Sequence, residues 1–210
     1  MARLSRLAFL LTSFLPAFCS TASAQDPVAA APALYKVEVD NQWVRVLRLT
    51  LGAHQEGPRH SHRPEVVVWV TPTPGKVVFR PASTTATDGN PSDAPLEQAI
   101  IELKQNPPTS TRVALDPVVI DPEYHKVVLD NSYVRAIRTV LEPGIKSPLH
   151  EHPHYVVVYI TELHTTMKLG DGREVDNPRR AGDIGWRDYM KHETLNIGKQ
   201  TAAEIQVELK

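Results

Sequence analysis

An internal duplication constrains this sequence more than any other feature. A series of residues between positions 40 and 71 recurs, in the same order and with the same spacing, between positions 130 and 161. The first series is Asp40, Asn41, Val44, Arg45, Arg48, Leu51, Pro58, His60, His62, Val66, Val67, Val68 and Thr71, and the second is Asp130, Asn131, Val134, Arg135, Arg138, Leu141, Pro148, His150, His152, Val156, Val157, Val158 and Thr161. A shorter stretch of similar sequence ends each copy, in residues 101–104 and 207–210. The sequence therefore predicts two homologous units, at residues 33–104 and 121–210, that fold alike.

Both units have the patterning of short β-strands. Residues 44–49 and the copy at 134–141 are rich in branched side chains, which favour strands. Residues 65–71 and 155–161 are largely apolar runs of strand length, which is typical of strands buried on both faces. No segment sustains a helical period. The pattern predicts an all-β fold, with a sandwich or barrel in each unit.

Two further segments have compositions that favour irregular structure. Residues 25–32 are rich in alanine and proline, and we expect them to form a loose lead. Residues 105–120 contain several prolines, which suits an extended linker better than a helix or a central strand.

The first 24 residues are typical of a secretory signal peptide. Arg3 and Arg6 precede an apolar stretch, and small residues lead to Ala24, after which we predict cleavage. The protein is therefore expected to be exported, to the periplasm or the extracellular space. Cleavage would also remove Cys19, the only cysteine, so that the mature chain could form no disulfide and offer no thiolate ligand.

Charge and hydropathy exclude two classes of partner. The formal net charge is -1, and the loss of Arg3 and Arg6 takes it to -3 (-1 minus 2), because no acidic residue precedes Asp26. This balance is unlike the basic surface that binds nucleic acid. No segment after the signal peptide is long and apolar enough for a transmembrane helix, so we expect no membrane partner after cleavage.

Histidines at alternate positions in the second unit indicate a metal site. His150 and His152 share one face of an extended strand and can direct two imidazoles to one point. Such a site normally needs one or two more ligands from elsewhere in the fold, and His192 is the only histidine after His164. The metal is not determined by these residues, and iron, copper, zinc, manganese and nickel are all open.

The second unit resembles the cupin family. Gly144, five further residues, His150 and His152 match the first cupin motif, and Gly182 leads to His192, with Asn196 four residues later, as in the second. The resemblance implies a jelly-roll barrel that binds a divalent metal through His150, His152 and His192. It also implies that the two units pair as an internal dimer, a bicupin, and the same outer-strand pairing would allow a homo-oligomer.

The sequence departs from the cupin pattern in two places. Cupins usually have a glutamate shortly after the second histidine as a fourth ligand, whereas Tyr155 and its apolar neighbours occupy that region here, although His154 could contribute. The first unit keeps His60 and His62 but has no histidine between Arg63 and Tyr124, and a polar loop at residues 81–95 stands in place of the second motif. We expect a degenerate first barrel, with a second metal at His60 and His62 as an alternative.

The positions of several other residues can be interpreted in two ways. Tyr155, Tyr159 and Trp186 either line a pocket around the metal or belong to the core. Asn196 either orients a ligand histidine from the second shell or stabilises a turn before Gly198. The three histidines outside the repeated motifs are expected at the surface; they are His54, His125 and His164.

The resemblance and the ligand set lead to a metal-dependent oxidoreductase, of dioxygenase or oxidase type, acting on a small molecule. An isomerase or decarboxylase of the same fold is a further possibility, and the competing class is a non-catalytic binder of a small molecule or of the metal itself. A proton-transfer or redox group close to the metal would favour an enzyme. The sequence offers tyrosines for this role but no evident carboxylate, so the catalytic residues are unassigned.

Overall fold

The structure, a computed structural model, describes residues 25–105 and 113–210. The signal peptide predicted at residues 1–24 lies outside the described residues, as do residues 106–112 of the predicted linker. The strands of the first unit are β1 (Tyr35–Asp40), β2 (Val44–Leu51), β3 (His60–His62), β4 (Glu65–Thr71), β5 (Val77–Arg80), β6 (Ser83–Ala86) and β7 (Leu96–Leu103). Those of the second are β8 (His125–Asp130), β9 (Val134–Leu141), β10 (Lys146–His152), β11 (Tyr155–Tyr159), β12 (Leu163–Leu169), β13 (Glu174–Arg179), β14 (Ile184–Arg187), β15 (Met190–Asn196) and β16 (Ala202–Leu209). The prediction of an all-β fold is confirmed.

Both units have the same antiparallel topology. The first has a five-stranded sheet in the order β1-β2-β7-β4-β5 opposite the pair β3-β6. The second repeats the five-stranded sheet as β8-β9-β16-β11-β14, and its opposite sheet has four strands in the order β10-β15-β12-β13. The hairpin β12–β13 therefore has no counterpart in the first unit, whose corresponding connection between β4 and β5 is a short turn.

The two five-stranded sheets pack against each other through a shared apolar core. Alternation along each strand makes this possible, since neighbouring residues face opposite sides of a sheet. On β16, for example, Ile205 and Val207 belong to the core between the sheets, whereas Gln206 and Glu208 face the interior of their own barrel. Each barrel interior holds a smaller apolar cluster of its own.

A short helical turn precedes the first strand of each unit, which the sequence analysis does not predict. These turns are α1 (Pro27–Ala30) and α2 (Pro117–Ile120), and each begins with a proline behind an aspartate whose carboxylate caps backbone N–H groups. The capping residues Asp26 and Asp116 also pair with Arg45 and Arg135 of the sheets. The duplication therefore extends upstream of the predicted units, into the lead and the linker. Within the described residues, no helix has the length and hydropathy needed to cross a membrane.

Candidate metal centre

Strands β10 and β15 bring the three predicted ligands together. His150 and His152 lie two residues apart on β10, and His150 stands directly opposite His192 on the neighbouring strand. One ring nitrogen from each of the three histidines lies within 4.8 Å of the others. The ring centroids of His150 and His192 are 4.5 Å apart, and those of His152 and His192 are 5.5 Å apart. The predicted triad is thus a compact cluster, and among the described residues it is the one group of three metal-ligating side chains with this spacing.

Each imidazole of the triad is held through its Nδ1 atom. The partners are the Pro148 carbonyl for His150 at 2.7 Å, Glu208 Oε1 for His152 at 2.8 Å and Thr194 Oγ1 for His192 at 3.0 Å. The Nε2 atoms are left for another partner, and those of His152 and His192 are buried without a hydrogen bond in the described part of the chain. Buried polar atoms are rarely unpaired. Orientation through Nδ1 with a free Nε2 is the arrangement of metal-binding histidines, so the residues present fit a metal ion.

The electrostatics of the cluster keep the imidazoles neutral. Burial lowers the pKa of His150, and it lowers the pKa of His152 and His192 well below the ordinary value, with neighbouring imidazoles adding to the effect on these two. Neutral imidazole is the form that binds metals. Burial also raises the pKa of Glu208 to about 7, against the attraction of the Arg135 guanidinium that is bonded to it.

A fourth histidine lies beside the triad, contrary to the prediction that it is at the surface. His125, at the start of β8, is only 1% exposed, and its ring centroid is 5.0 Å from that of His150. Its Nδ1 contacts the Asp121 carbonyl at 3.1 Å, and burial lowers its pKa to about 4. The repeat aligns His125 with Tyr35, which begins the equivalent strand of the first barrel and is also buried. The signal in the sequence is the aromatic residue at that repeat position, and its burial is visible only in the structure. The other two histidines predicted to be exposed are exposed.

A small cavity opens beside the triad and contains a carboxylate that the sequence analysis missed. The centre of a water-sized sphere can occupy about 30 Å³ there, and the lining includes His125, His150 and His192. Glu204 on β16 faces the same space, and burial raises its pKa to about 7 although Arg187 and Arg179 act to lower it. Glu204 lies four residues before Glu208 and therefore on the same face of the strand, which is a signal available in the sequence.

The predicted pocket residues divide between the barrel interior and its outside. Tyr155 and Tyr159 face the interior, and the Tyr155 ring lies 5.0 Å from that of His152. Trp186 instead packs against the core between the two five-stranded sheets. The His154 ring is stacked between two tryptophan rings, with its centroid 5.8 Å from that of Trp186 and 6.0 Å from that of Trp43 in the first unit. The pocket reading is therefore wrong for His154 and Trp186. The reason is that neighbouring residues of a strand face opposite sides of the sheet. Trp186 pairs with Val156, which follows the inward-facing Tyr155 and therefore faces outward, as Trp186 does.

Asn196 stabilises a turn and does not orient a ligand histidine. Its amide nitrogen donates to the carbonyl groups of Leu141 and Gln200, and its Oδ1 accepts from the Gly198 N–H. This network connects the end of β15 to the start of β16. Of the two readings of Asn196, the turn is the one that the hydrogen bonds support.

The first barrel keeps two histidines but not the third. His60 on β3 stands opposite Ala86 of β6, which is the register position that His192 holds opposite His150. Strand β6 lies within the segment expected to be a polar loop, so that expectation is wrong for residues 83–86. A methyl group at this position offers no ligand, and His60 and His62 lack the third imidazole of the second barrel.

A guanidinium group lies among buried carboxylates next to these two histidines. Arg80 forms ion pairs with Glu65 at 2.5 Å and with Asp88 at 2.6 Å. Asp88 also lies 3.6 Å from the His60 Nε2 atom and accepts a hydrogen bond from the Tyr35 hydroxyl at 2.6 Å. Burial raises the pKa of Glu65 to about 8. The positive charge of the first barrel is thus supplied by an arginine side chain.

Comparison with solved structures identifies the fold. AerE from Microcystis aeruginosa matches with a TM-score of 0.60 and 10% identity, over 84% of this chain and 97% of that one. A variant of the oxalate decarboxylase of Bacillus subtilis matches with a TM-score of 0.56 and 14% identity, over 80% of this chain and 69% of that one. The chain has a duplicated cupin fold.

A further solved structure extends the likeness without adding an activity. A variant of salicylate 1,2-dioxygenase from Pseudoaminobacter salicylatoxidans matches with a TM-score of 0.53 and 10% identity, over 80% of this chain and 71% of that one. No protein-family model and no curated protein matches the sequence. At these identities the likeness establishes the bicupin architecture, and the function has to be argued from the site.

Proposed function

We propose that this bicupin is an exported enzyme that binds one divalent metal ion through His150, His152 and His192 and acts on a small molecule. The observation that carries the proposal is the convergence of three neutral imidazoles, each oriented through Nδ1, at the wall of a cavity. A divalent metal held by three neutral ligands supplies a Lewis acid and, if it is redox-active, a centre for oxidation chemistry.

The reaction type we propose is that of an oxidoreductase. Structural neighbours with this fold include a dioxygenase and a decarboxylase, and Mn(II) centres have been characterised in the oxalate decarboxylase of Bacillus subtilis. Within the described residues, the three-histidine cluster contains no carboxylate ligand. A metal held there would keep its full positive charge, which favours an anionic oxygen as the group that approaches it.

Glu204 favours an enzyme over a non-catalytic binder. A pure binding site needs shape and hydrogen bonds, whereas a carboxyl group with a pKa of about 7 can both release and accept a proton at neutral pH. The same group would also serve an isomerase, which is the alternative enzyme class. No residue of the described chain besides Glu204 combines this pKa with a place in the lining of the cavity.

The metal site is tested by elemental analysis of the purified protein. We expect about one metal ion per chain in the wild type and none in the double variant His150→Ala, His192→Ala. Equal metal content in the two proteins would remove the site assignment. Oxygen-uptake screening of the loaded wild type against small acids and phenols then separates oxidation from isomerisation.

Export and partners are separate parts of the proposal. The residues before Gln25 support export to the periplasm or beyond, and N-terminal sequencing of protein recovered from that compartment should begin at Gln25. We propose a small molecule as the partner, with neither nucleic acid nor membrane involved, and light scattering would show whether the bicupin also forms a homo-oligomer.

A further inference from the structure

Three interior positions of the second barrel are more polar than their counterparts in the first barrel. The two barrels pair equivalent strands in equivalent register, with Leu49 opposite Gln98 in the first and Thr139 opposite Glu204 in the second. By the same register, Ile100 of the first barrel corresponds to Gln206 of the second. The first unit folds with two aliphatic residues and a neutral amide at these positions, in place of a hydroxyl, an amide and a carboxyl group. Since buried polar groups cost free energy, the polar set in the second barrel points to a ligand.

Two hydrogen bonds in series hold the Glu204 carboxylate. The Thr139 hydroxyl donates to Gln206 Oε1 at 2.9 Å, and the Gln206 amide nitrogen donates to Glu204 Oε1 at 2.8 Å. Gln206 and Thr139 are 2% and 5% exposed, so this pair is shielded from bulk solvent. Glu204 Oε2 has no hydrogen-bond partner in the described part of the chain. A proton carried by Glu204 would therefore lie on Oε2.

A second polar atom in the cavity also lacks a partner. The Asn177 amide nitrogen donates to Thr165 Oγ1 at 3.1 Å, which leaves its Oδ1 as an acceptor. That oxygen is buried and has no hydrogen bond among the described residues. Asn177 and Thr165 belong to the hairpin β12–β13, which the first barrel lacks. A ligand with a hydrogen-bond donor would satisfy this acceptor.

The charged groups around Glu204 come from every side of the cavity. Arg179 of β13 and Arg187 of β14 attract its ionised form, and Tyr155 and Tyr159 of β11 face it as neutral phenols with raised pKa values. The remaining titratable groups in the lining are imidazoles, from His125, His150 and His192. Glu204 is thus the one carboxylate in a lining of neutral donors and acceptors.

We propose that Glu204 is the acid–base group of this site and that its ligand is a small molecule with at least two hydrogen-bond donors, one of them a hydroxyl. The hydroxyl O–H bond breaks, the proton passes to Glu204 Oε2, and the resulting oxyanion faces the three histidines. Asn177 Oδ1 accepts from the second donor of the same ligand, and Gln206 and Thr139 are positioning residues. The inference rests on the metal site proposed above, which would stabilise the oxyanion.

Proton counting with a hydroxyl probe tests the role of Glu204 without knowledge of the substrate. Acetohydroxamic acid is small, has a hydroxyl and an N–H, and loses the hydroxyl proton when it binds a metal. Its binding to the Mn²⁺-loaded full-length protein is measured by titration calorimetry in buffers with different heats of ionisation, which gives the number of protons released. Metal content is measured first. This separates a protein that binds no metal from one that binds metal but whose Glu204 accepts no proton.

At about pH 8, where Glu204 of the ligand-free protein is ionised, the wild type should release about one proton fewer than the Glu204→Gln variant, because the carboxyl keeps the transferred proton in a hydrogen bond from Oε2 to the bound oxyanion. At about pH 6 the difference should vanish, because Glu204 is then already protonated. Glu65→Gln, which removes a buried carboxyl of the first barrel, should behave as the wild type at both pH values.

Equal proton release by the wild type and Glu204→Gln at about pH 8 would overturn the proposal, as would failure of the loaded wild type to bind the probe. If Glu204→Gln does not fold, Gln206→Ile replaces it. This variant inserts the first-barrel residue and removes the hydrogen bond that lowers the Glu204 pKa, so the pH at which the carboxylate begins to take the proton should move upward. No movement would count against the proposal in the same way.

Discussion

Replacing Glu208 by glutamine should weaken metal binding by about 10- to 100-fold with little change in shape. Glu208 Oε1 accepts the His152 Nδ1–H at 2.8 Å, and both groups are at most 2% exposed. Hydrogen bonds to charged groups contribute about 1.5 to 3 kcal/mol, and each 1.4 kcal/mol is tenfold in affinity. The neutral amide loses most of this contribution, and it no longer favours the tautomer of His152 that leaves Nε2 free.

The first barrel supplies a matched control for this change. Glu102 holds the equivalent place on β7, where it pairs with Arg45 as Glu208 pairs with Arg135. No hydrogen bond connects Glu102 to a histidine in the described residues. Glu102→Gln should therefore cost a similar amount of stability and leave metal affinity as in the wild type.

The assay is competition for Zn²⁺ with a chromophoric chelator at about pH 8, where the Glu208 carboxyl is ionised in the wild type. Denaturant unfolding of the metal-free proteins checks that both variants are folded and how much stability each has lost. Unchanged affinity in Glu208→Gln, or an equal loss in Glu102→Gln, would refute the reasoning that Glu208 acts on the metal through His152.

Three further predictions concern the first barrel, the core and the cavity. The double variant His60→Ala, His62→Ala should contain as much metal per chain as the wild type, and a fall in elemental analysis would reveal a second site. Ile205→Ala should lower the free energy of unfolding in a urea titration by about 2 to 5 kcal/mol, because this side chain is fully buried between the sheets. Ile197 is 46% exposed, so the control variant Ile197→Ala should lower it by less than about 0.5 kcal/mol. The native state keeps a proton on Glu204 between about pH 4.5 and 7, where the unfolded chain has released it, so the contribution of Glu204 to stability falls as pH rises through that window. Glu204→Gln removes this fall, and a stability difference between the two proteins that does not change with pH would contradict the raised pKa.

The duplication explains how one half of the molecule can serve the other. The first barrel has an alanine at the third ligand position and an arginine that pairs with its buried carboxylates. Its buried carboxylates are therefore paired with a positive charge that belongs to the protein itself. Its five-stranded sheet instead buries the outer face of the second barrel, in a core to which both units contribute.

Prediction from sequence was most successful where a residue's position follows from short-range periodicity. His150 and His152 share a face because they are two residues apart on a strand, and the repeat located their counterparts His60 and His62. Prediction failed for His125 and Glu204. The repeat aligns His125 with Tyr35, and alternation places Glu204 on the same face as Glu208, but neither pattern says whether that face meets a cavity or solvent. The expectation of irregular structure around residues 117–120 failed for another reason, since a capped single turn has no period to detect.

The sequence by itself determined the duplication, the all-β class and the identity of the three candidate ligands, because each of these is written in spacing along the chain. Only the tertiary structure decided which face of each sheet is the barrel interior and which packs against the other unit. Alternation shows that a strand has two faces but does not say what covers them. For that reason His154 and Trp186 lie between the barrels, while Glu204 faces the histidines.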